Sequence, residues 1–312
     1  MGPIEPQLIH ERIKVVAAAT AYGDAQGLQN LAQALALQTH KPEFLHVVDN
    51  SPSALDTPMC CEIKLIVDHK PENIGLGGAL EVFLKRAELA GATHLWLFDQ
   101  DSIPAPDALE QNLRLLEKTK LVHNQPVGIV ASLPVHPDLK KPAHGLNFRN
   151  GRFVRVRDAN ETSPYPCDVV ITAGMLIDLN LCRQVAVPVE FFLDLVDYEY
   201  CLRVRDLGLA VVVNPQSKLV HRMGEPIKLK FMGCEIMAKN YSGLRWYYFF
   251  RNRAVMGIRR ANIFFAIKNS LSRILALKIP LRDAILTGSA DRFILALLGV
   301  CHGVSGKLGK YR

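Results

Sequence analysis

Short apolar runs and amphipathic stretches of helical spacing succeed one another along the first two-thirds of the chain. Ile13 to Ala18 predicts a buried strand, and Thr20-Ala21-Tyr22-Gly23-Asp24 its polar loop. Asp24 is placed to cap a helix in which Leu28, Leu31 and Leu35 recur at helical spacing as far as Gln38. Phe44 to Val48 predicts a second strand ending in the turn cluster Asp49-Asn50-Ser51-Pro52, and Lys64 to Val67 a third. Asn73-Ile74-Gly75-Leu76-Gly77-Gly78 opens a helix whose inner face is Leu80, Phe83, Leu84 and Ala87. A strand over His94 to Phe98 follows, then a helix over Ala108 to Lys118 and a strand over Val127 to Ser132.

Residues 134–166 are rich in Pro, His, Asn and Arg, and Phe153 to Arg157 alternates like an exposed hairpin strand, so this stretch reads as an excursion over a site. Val169 to Ile177 reads as an apolar strand with Gly174 inside it, and a strand glycine marks a close approach by a ligand or another backbone. A helix beginning in the Phe191-Phe192-Leu193 run would place Asp194, Asp197 and Cys201 on one face. Ala210 to Val213 is a final short strand, and Pro215 to His221 leads out of it. Strands alternating with helices predict an α/β fold with a mostly parallel, Rossmann-like sheet flanked by helices. In such sheets ligands lie beyond the carboxyl ends of the strands, where the polar loops starting at Thr20, Asp49 and Asp99 converge.

Composition narrows the class. The 312 residues are 49% hydrophobic and 21% charged, values of a folded globular chain with ample length for a core. Seven cysteines (60, 61, 167, 182, 201, 234 and 301) are scattered without a Cys-x-x-Cys pair, which argues for a reducing compartment, core packing, and neither a disulfide framework nor structural zinc. The first 14 residues carry charges and prolines and no apolar run, and no stretch reaches the length of a spanning helix; a cytoplasmic protein is expected. The net charge of +7 is unevenly spread. Residues 227–312 hold 16 Lys and Arg against three acids, a net of +13, whereas the other 226 residues hold 21 against 27, a net of −6. The expected division is therefore an acidic catalytic body over 1–226 and a basic helical region over 227–312.

The candidate chemistry lies at the end of the strand carrying Asp99. Alternation points Asp99 and Asp101 the same way, and two like charges there need a compensating cation or donors; a divalent metal holding a diphosphate would serve, and a helix start is the plain alternative. Asn73-x-Gly75-x-Gly77-Gly78 lacks the lysine of a P-loop and the Rossmann glycine spacing, so by itself it reads as a helix-start turn. Glu199 and Arg203 have the spacing of an i, i+4 ion pair. Asp197 follows an aromatic and aliphatic run where a carboxylate pKa rises. His221 alone would be a loop histidine.

Together these segments resemble the inverting GT-A nucleotide-sugar glycosyltransferases of the family 2 type, in particular bacterial rhamnosyltransferases of surface-polysaccharide (O-antigen) assembly. The resemblance rests on Val48–Ser51, Asn73–Ala79, Phe98–Ser102, Ile171–Gly174, Phe192–Arg203, Pro215–His221 and Tyr247–Asn252, in family order over about residues 13 to 255. It implies that Thr20, Tyr22 and Asp49 hold the nucleoside, and that Asn73, Gly75, Asp99 and Gly174 also line the donor site. It further implies that Asp99, Asp101 and His221 hold Mg²⁺ or Mn²⁺, and that Asp197 is the general base. Asp194, Glu199 and Arg203 become acceptor-side candidates. The first loop reads Thr-Ala-Tyr-Gly where relatives usually have Thr-Tyr-Asn, and Val196 stands where they often carry Glu.

The expected activity is transfer of L-rhamnose from dTDP-rhamnose to a lipid-linked surface polysaccharide. The alternatives are a galactofuranosyl or other hexosyl transfer from a UDP donor, and a nucleotide-sugar or polysaccharide binding protein without turnover. A glycosidase needs neither metal nor nucleotide loop and ranks far lower. In the basic region Ile263, Phe264, Ile267, Leu271, Ile274 and Leu275 fall at helical spacing beside Lys268, Arg273 and Lys278, and Arg292 to Val300 is again apolar. That stripe predicts either peripheral contact with the inner face of the cell membrane or packing on another subunit in a homo-oligomer, and it fits nucleic acid less well.

Overall fold

The computed structural model describes residues 13–56, 62–119, 121–138, 140–157, 159–222, 226–231, 234–239, 241–260 and 278–311. The first half alternates as its pattern predicts: β1 (Val15–Ala21), α1 (Ala25–Ala36), β2 (Leu45–Asp49), β3 (Leu65–His69), α2 (Gly75–Leu89) and β4 (His94–Asp99). A short β5 (Ile103–Pro104), α3 (Ala108–Lys118), β6 (Leu121–Val122) and β7 (Gln125–Val135) follow. Next come the hairpin β8 (Leu146–Arg149) and β9 (Arg152–Arg155), then β10 (Tyr165–Cys167), β11 (Met175–Asp178), α4 (Val196–Asp206) and β12 (Ala210–Val220). The C-terminal third holds the hairpin β13 (Pro226–Phe231) and β14 (Cys234–Lys239), then α5 (Gly243–Arg260), α6 (Lys278–Thr287) and α7 (Asp291–Val304).

The main sheet has the order β10-β12-β7-β11-β4-β1-β2-β3, with β5 paired to β12 and β6 to β7. Strands β3, β2, β1 and β4 are parallel, as are β7 and β12, while β11 is antiparallel to both neighbours. Alternation sorts the core into two layers. Val16, Ala18, Leu95 and Leu97 face α2 and α4, meeting Leu80, Phe83, Tyr200 and Val204. Val15, Ala17, Ala19, Trp96 and Phe98 face α1 and α3, meeting Leu28, Leu31, Leu35, Leu109 and Leu113. Because both faces are covered, these strands read as unbroken apolar runs. Asp24 caps α1 as expected, its Oδ1 accepting from the Gly27 amide at 2.8 Å.

Several expectations are corrected. Val169 to Ile177 is not one strand: only Met175–Asp178 joins the sheet, and Gly174 sits just before it with φ +82. The strand at Ala210 runs eleven residues through Pro215, which is tolerated because the register to β7 slips between Asn214 and Lys218. The helix of the Phe191 run begins only at Val196, so Asp194 is not on a shared helical face with Asp197. The expected C-terminal helical region is present as α5, α6 and α7, and the β13–β14 hairpin precedes it across the 226 boundary. The start of the hairpin, Ile-Lys-Leu-Lys-Phe, alternates with the period of a strand. The stripe from Ile263 to Leu275 lies outside the described residues. Helix α5 is continuous with the body, because Val255 and Met256 belong to the main core cluster. Cys167, Cys182 and Cys201 are buried free thiols as expected, whereas Cys301 is exposed.

Candidate functional site

The strand β4 delivers Asp99 to the carboxyl edge of the sheet, opposite Thr20 of β1. The chain turns at once, the Ser102 amide donating to the Asp99 carbonyl at 3.0 Å, so Asp101 sits on the turn. Directly afterwards β5 pairs with the end of β12, Pro104 opposite Leu219 and Ile103 opposite Val220. That short pairing brings His221 to the Asp-x-Asp turn. Its Nε2 lies 3.5 Å from Asp99 Oδ2 and its Nδ1 3.2 Å from Asp101 Oδ1. One ligand atom from each of the three residues lies within 4.8 Å of the others, an arrangement able to hold a metal ion. His221 is buried, so both of its ring nitrogens are held against the two carboxylates. Burial pushes the Asp99 carboxyl up, with Asp101 adding to the rise and His221 opposing it. Burial alone would lower His221, but Asp101 and Asp99 hold its pKa above the usual value.

Asp197 stands in the first turn of α4, its Oδ1 accepting from the Tyr198 amide at 2.9 Å and its Oδ2 from the Thr172 amide at 3.3 Å. Burial lifts its pKa to about 7; the two amides oppose the rise, and Asp99 and Asp194 add to it. A carboxylate poised there is suited to accept a proton near neutral pH. The β8–β9 hairpin reaches the same place, as an excursion over the site should, with Phe153 edge-on to Tyr198 at 4.8 Å.

The expected donor-side residues surround this edge. Tyr22 is exposed, and its peptide is held from both sides by Gln100, whose Oε1 accepts from the Tyr22 amide at 2.6 Å and whose Nε2 donates to the Tyr22 carbonyl at 3.2 Å. Asp49 is buried beneath, accepting from the Ser51 and Leu55 amides; burial would raise its pKa, but these hydrogen bonds outweigh it and hold the carboxylate low. Asn73 is left-handed (φ 51) and its Oδ1 accepts from the Gly75 amide at 2.9 Å. Gly75 is also left-handed (φ 68), and a Cβ there would collide with the Phe192 carbonyl. Gly77 packs on Pro188 and Val189, 3.0 Å from where its Cβ would stand, so these glycines fit α2 against the loop before α4. The close approach at Gly174 is made by protein, Leu219 and Ser132.

No protein-family model matches the sequence. A curated relative, the dTDP-rhamnosyl transferase RfbF of Shigella flexneri, is 27% identical over 186 residues, 59% of this chain and 57% of the relative. The match thus spans little more than half the relative's length. Among solved structures, the mannosyltransferase PcManGT of Pyrobaculum calidifontis, in complex with GDP-Man and Mn²⁺, superposes with TM-score 0.54 at 15% identity, covering 96% of this chain and 89% of that one. Residues 1–349 of S. aureus TarS with UDP-GlcNAc give TM-score 0.51 at 16% identity, covering 94% and 82%. GalNAc-T7 with UDP, GalNAc and Mn²⁺ gives 0.55 at 10% identity, covering 79% and 48%. The chain has the GT-A glycosyltransferase fold.

Within this GT-A frame the acceptor-side candidates part company. Asp194 accepts from Arg245 Nε at 3.3 Å and lies near enough to Asp197 to add to the rise of its pKa. Glu199 and Arg203 do not join it. Glu199 is buried, paired with Arg203 Nε at 3.1 Å and with both Nε and Nη2 of Arg260, while Arg203 Nη2 reaches Glu190 at 2.7 Å. Their network ties α4 to α5. Arg245 joins the site without a sequence signal of its own. It lies over the Tyr241 ring, 4.3 Å from the centroid, and adds positive charge near Asp99, yet no local spacing distinguishes it from other arginines of the basic region.

Proposed function

We propose that the protein is a metal-dependent inverting glycosyltransferase that moves L-rhamnose from dTDP-rhamnose to a saccharide acceptor carried on lipid. The observation that carries this reading is the grouping of Asp99, Asp101 and His221 at the sheet edge, beside a carboxylate, Asp197, whose pKa is near 7. The rhamnosyl transferase relative supports the donor, and the neighbours solved with nucleotide sugars and Mn²⁺ support the class of ligand. Two carboxylates and one imidazole make a mostly hard donor set that suits Mg²⁺ or Mn²⁺. Bound there, either cation would supply positive charge to the departing nucleoside diphosphate.

The chain's own residues do the rest. Thr20, the Tyr22 loop and Asp49 border the nucleoside, and Asn73 and Gly75 the sugar-phosphate side. Asp197 accepts the proton of the acceptor hydroxyl as its oxygen bonds to the anomeric carbon. The carbon–oxygen bond to the diphosphate breaks on the opposite face, its electron pair leaves with the diphosphate, and configuration inverts. Asp194 and Arg245 border the acceptor side. The basic region holds the enzyme to an anionic membrane surface, on the cytoplasmic side, where lipid-linked acceptors are presented. No helix among the described residues is long and apolar enough to cross a membrane.

The deciding experiment is a thermal-shift and turnover panel of dTDP-rhamnose, UDP-galactofuranose and UDP-glucose, each with Mg²⁺, Mn²⁺ or EDTA. Metal-dependent stabilisation by dTDP-rhamnose, lost in Asp101→Ala but retained without turnover in Asp197→Ala, is expected. Stabilisation by a UDP-sugar instead moves the assignment to that donor. No response to any nucleotide sugar overturns the reading.

A further inference from the structure

The segment joining the main sheet to α4 is held in a backbone conformation that its residues do not favour. Phe192 (φ 63, ψ −64), Asp194 (φ 51) and Leu195 (φ 61) are all left-handed, and none is glycine. The Leu193 amide donates to the Phe191 carbonyl at 2.7 Å across Phe192, a three-residue turn of the rare, strained hand. Residues held this way cost about 1–3 kcal/mol each and persist only where their surroundings over-determine them. Asp197 follows Leu195 by two residues, so this strained turn sets where α4 starts and where its first-turn carboxylate points.

Arg251 and Asn252 of α5 supply the determination. Both are fully buried. The Asn252 amide shares its two N–H groups among three carbonyls of the turn: Phe191 at 3.0 Å, Leu193 at 2.7 Å and Asp194 at 2.8 Å. Arg251 Nε donates to Asn252 Oδ1 at 2.8 Å, which fixes the amide with its nitrogen toward the turn. Arg251 Nη2 donates to Phe191 at 2.7 Å and to Glu190 at 3.3 Å, and Nη1 to the carbonyl of Gly309. The C-terminal strap therefore closes the arrangement. The Gly309 amide donates back to the Glu190 carbonyl at 2.8 Å, and the Tyr311 amide to Tyr248 Oη at 2.8 Å.

We propose that Arg251 and Asn252 are positioning residues for Asp197: they clamp the left-handed turn 192–195 from α5, and the strap 309–311 locks the clamp. The Leu193 and Asp194 carbonyls take their side-chain donor from Asn252, the Phe191 carbonyl takes both side chains besides the Leu193 amide, and Arg251 holds the Asn252 amide in place, so the pair acts as a unit. The inference rests on the assignment of Asp197 as the base for its catalytic consequence, but its structural content stands apart from that assignment.

Asn252→Asp tests it in the full-length protein, because the substitution keeps the shape and the Arg251 contact but turns an acceptor oxygen toward three carbonyls. Amide hydrogen exchange across 192–198 should accelerate at least tenfold while β1 and β4 stay protected, and kcat should fall at least tenfold with the donor KM within twofold of wild type. Deletion of residues 309–312, which leaves α5 intact, should give the same pattern more weakly and serves if Asn252→Asp does not fold. Unchanged exchange at 192–198 in a folded variant, or a rise in donor KM with kcat retained, overturns the clamp. If the wild type turns over no nucleotide sugar, the functional reading fails, and the exchange measurement still decides the clamp.

Discussion

Asp197 shows how one residue's surroundings set its chemistry. Its buried carboxyl holds its proton to about pH 7, far above an unfolded aspartate. Turnover should therefore rise with pH through a midpoint near 7, and a pH profile of kcat/KM checks this. The sign for stability is the reverse. A carboxyl raised in the folded state contributes stability below its unfolded pKa and loses it as pH rises through about 7. Without divalent cation, wild type should thus lose stability relative to Asp197→Asn from about pH 4 up to about pH 7 and level off above, which melting curves across that range check. Asp101→Ala removes one of the three proposed metal ligands and a negative charge from the cluster. Its expected signature is loss of Mn²⁺-dependent nucleotide binding in calorimetry and a drop in turnover of about a hundredfold or more. Gly75→Ala acts through the backbone, since φ is positive and the new methyl meets the Phe192 carbonyl; a loss of about 1–3 kcal/mol in chemical denaturation is expected.

At the scale of elements, two contacts assemble the site. One is the two-residue strand β5, whose pairing with β12 carries His221 to the Asp-x-Asp turn. The other is the ion network joining α4 to α5 through Glu199, Arg203, Arg260, Glu190 and Asp206. Breaking a buried pair by removing one partner leaves an uncompensated charge. Glu199→Gln should therefore cost about 3 kcal/mol of stability by denaturant titration. Because Glu199 faces α5 and not the cleft, kcat per folded molecule should stay within about threefold, and a larger loss would return Glu199 to the acceptor side.

At the scale of the molecule, charge is divided: acidic groups line the sheet edge while the last third carries most of the excess positive charge. If that region meets an anionic membrane, co-sedimentation with phosphatidylglycerol vesicles should be strong at low salt and fall steeply by about 0.5 M salt, where the Debye length shrinks to a few ångströms. Binding to neutral phosphatidylcholine vesicles should be weak. A chain that stays in the supernatant with both lipids would leave the basic region to subunit contact, which sedimentation equilibrium would then show.

The sequence by itself determined the α/β alternation, the strand ends and the residue types of the cluster, because strands buried on both faces must be apolar and the polar residues ending them stand out. The pattern also marked Asp99, Asp101 and Asp197 as candidates, and the resemblance to GT-A glycosyltransferases added His221. Tertiary structure decided what depends on meetings between distant segments. Val169 to Ile177 is as apolar as a strand, yet only its last part pairs, because Gly174 turns the chain between Ser132 and Leu219. Asp194 keeps its helical spacing from Asp197 on paper but lies before the helix, in a left-handed turn that Asn252 imposes from some 60 residues away. Arg245 and the clamp were not legible for the same reason. Local periodicity reports which face of an element is buried, whereas a buried arginine or amide is identified only by the carbonyls that another part of the chain brings to it.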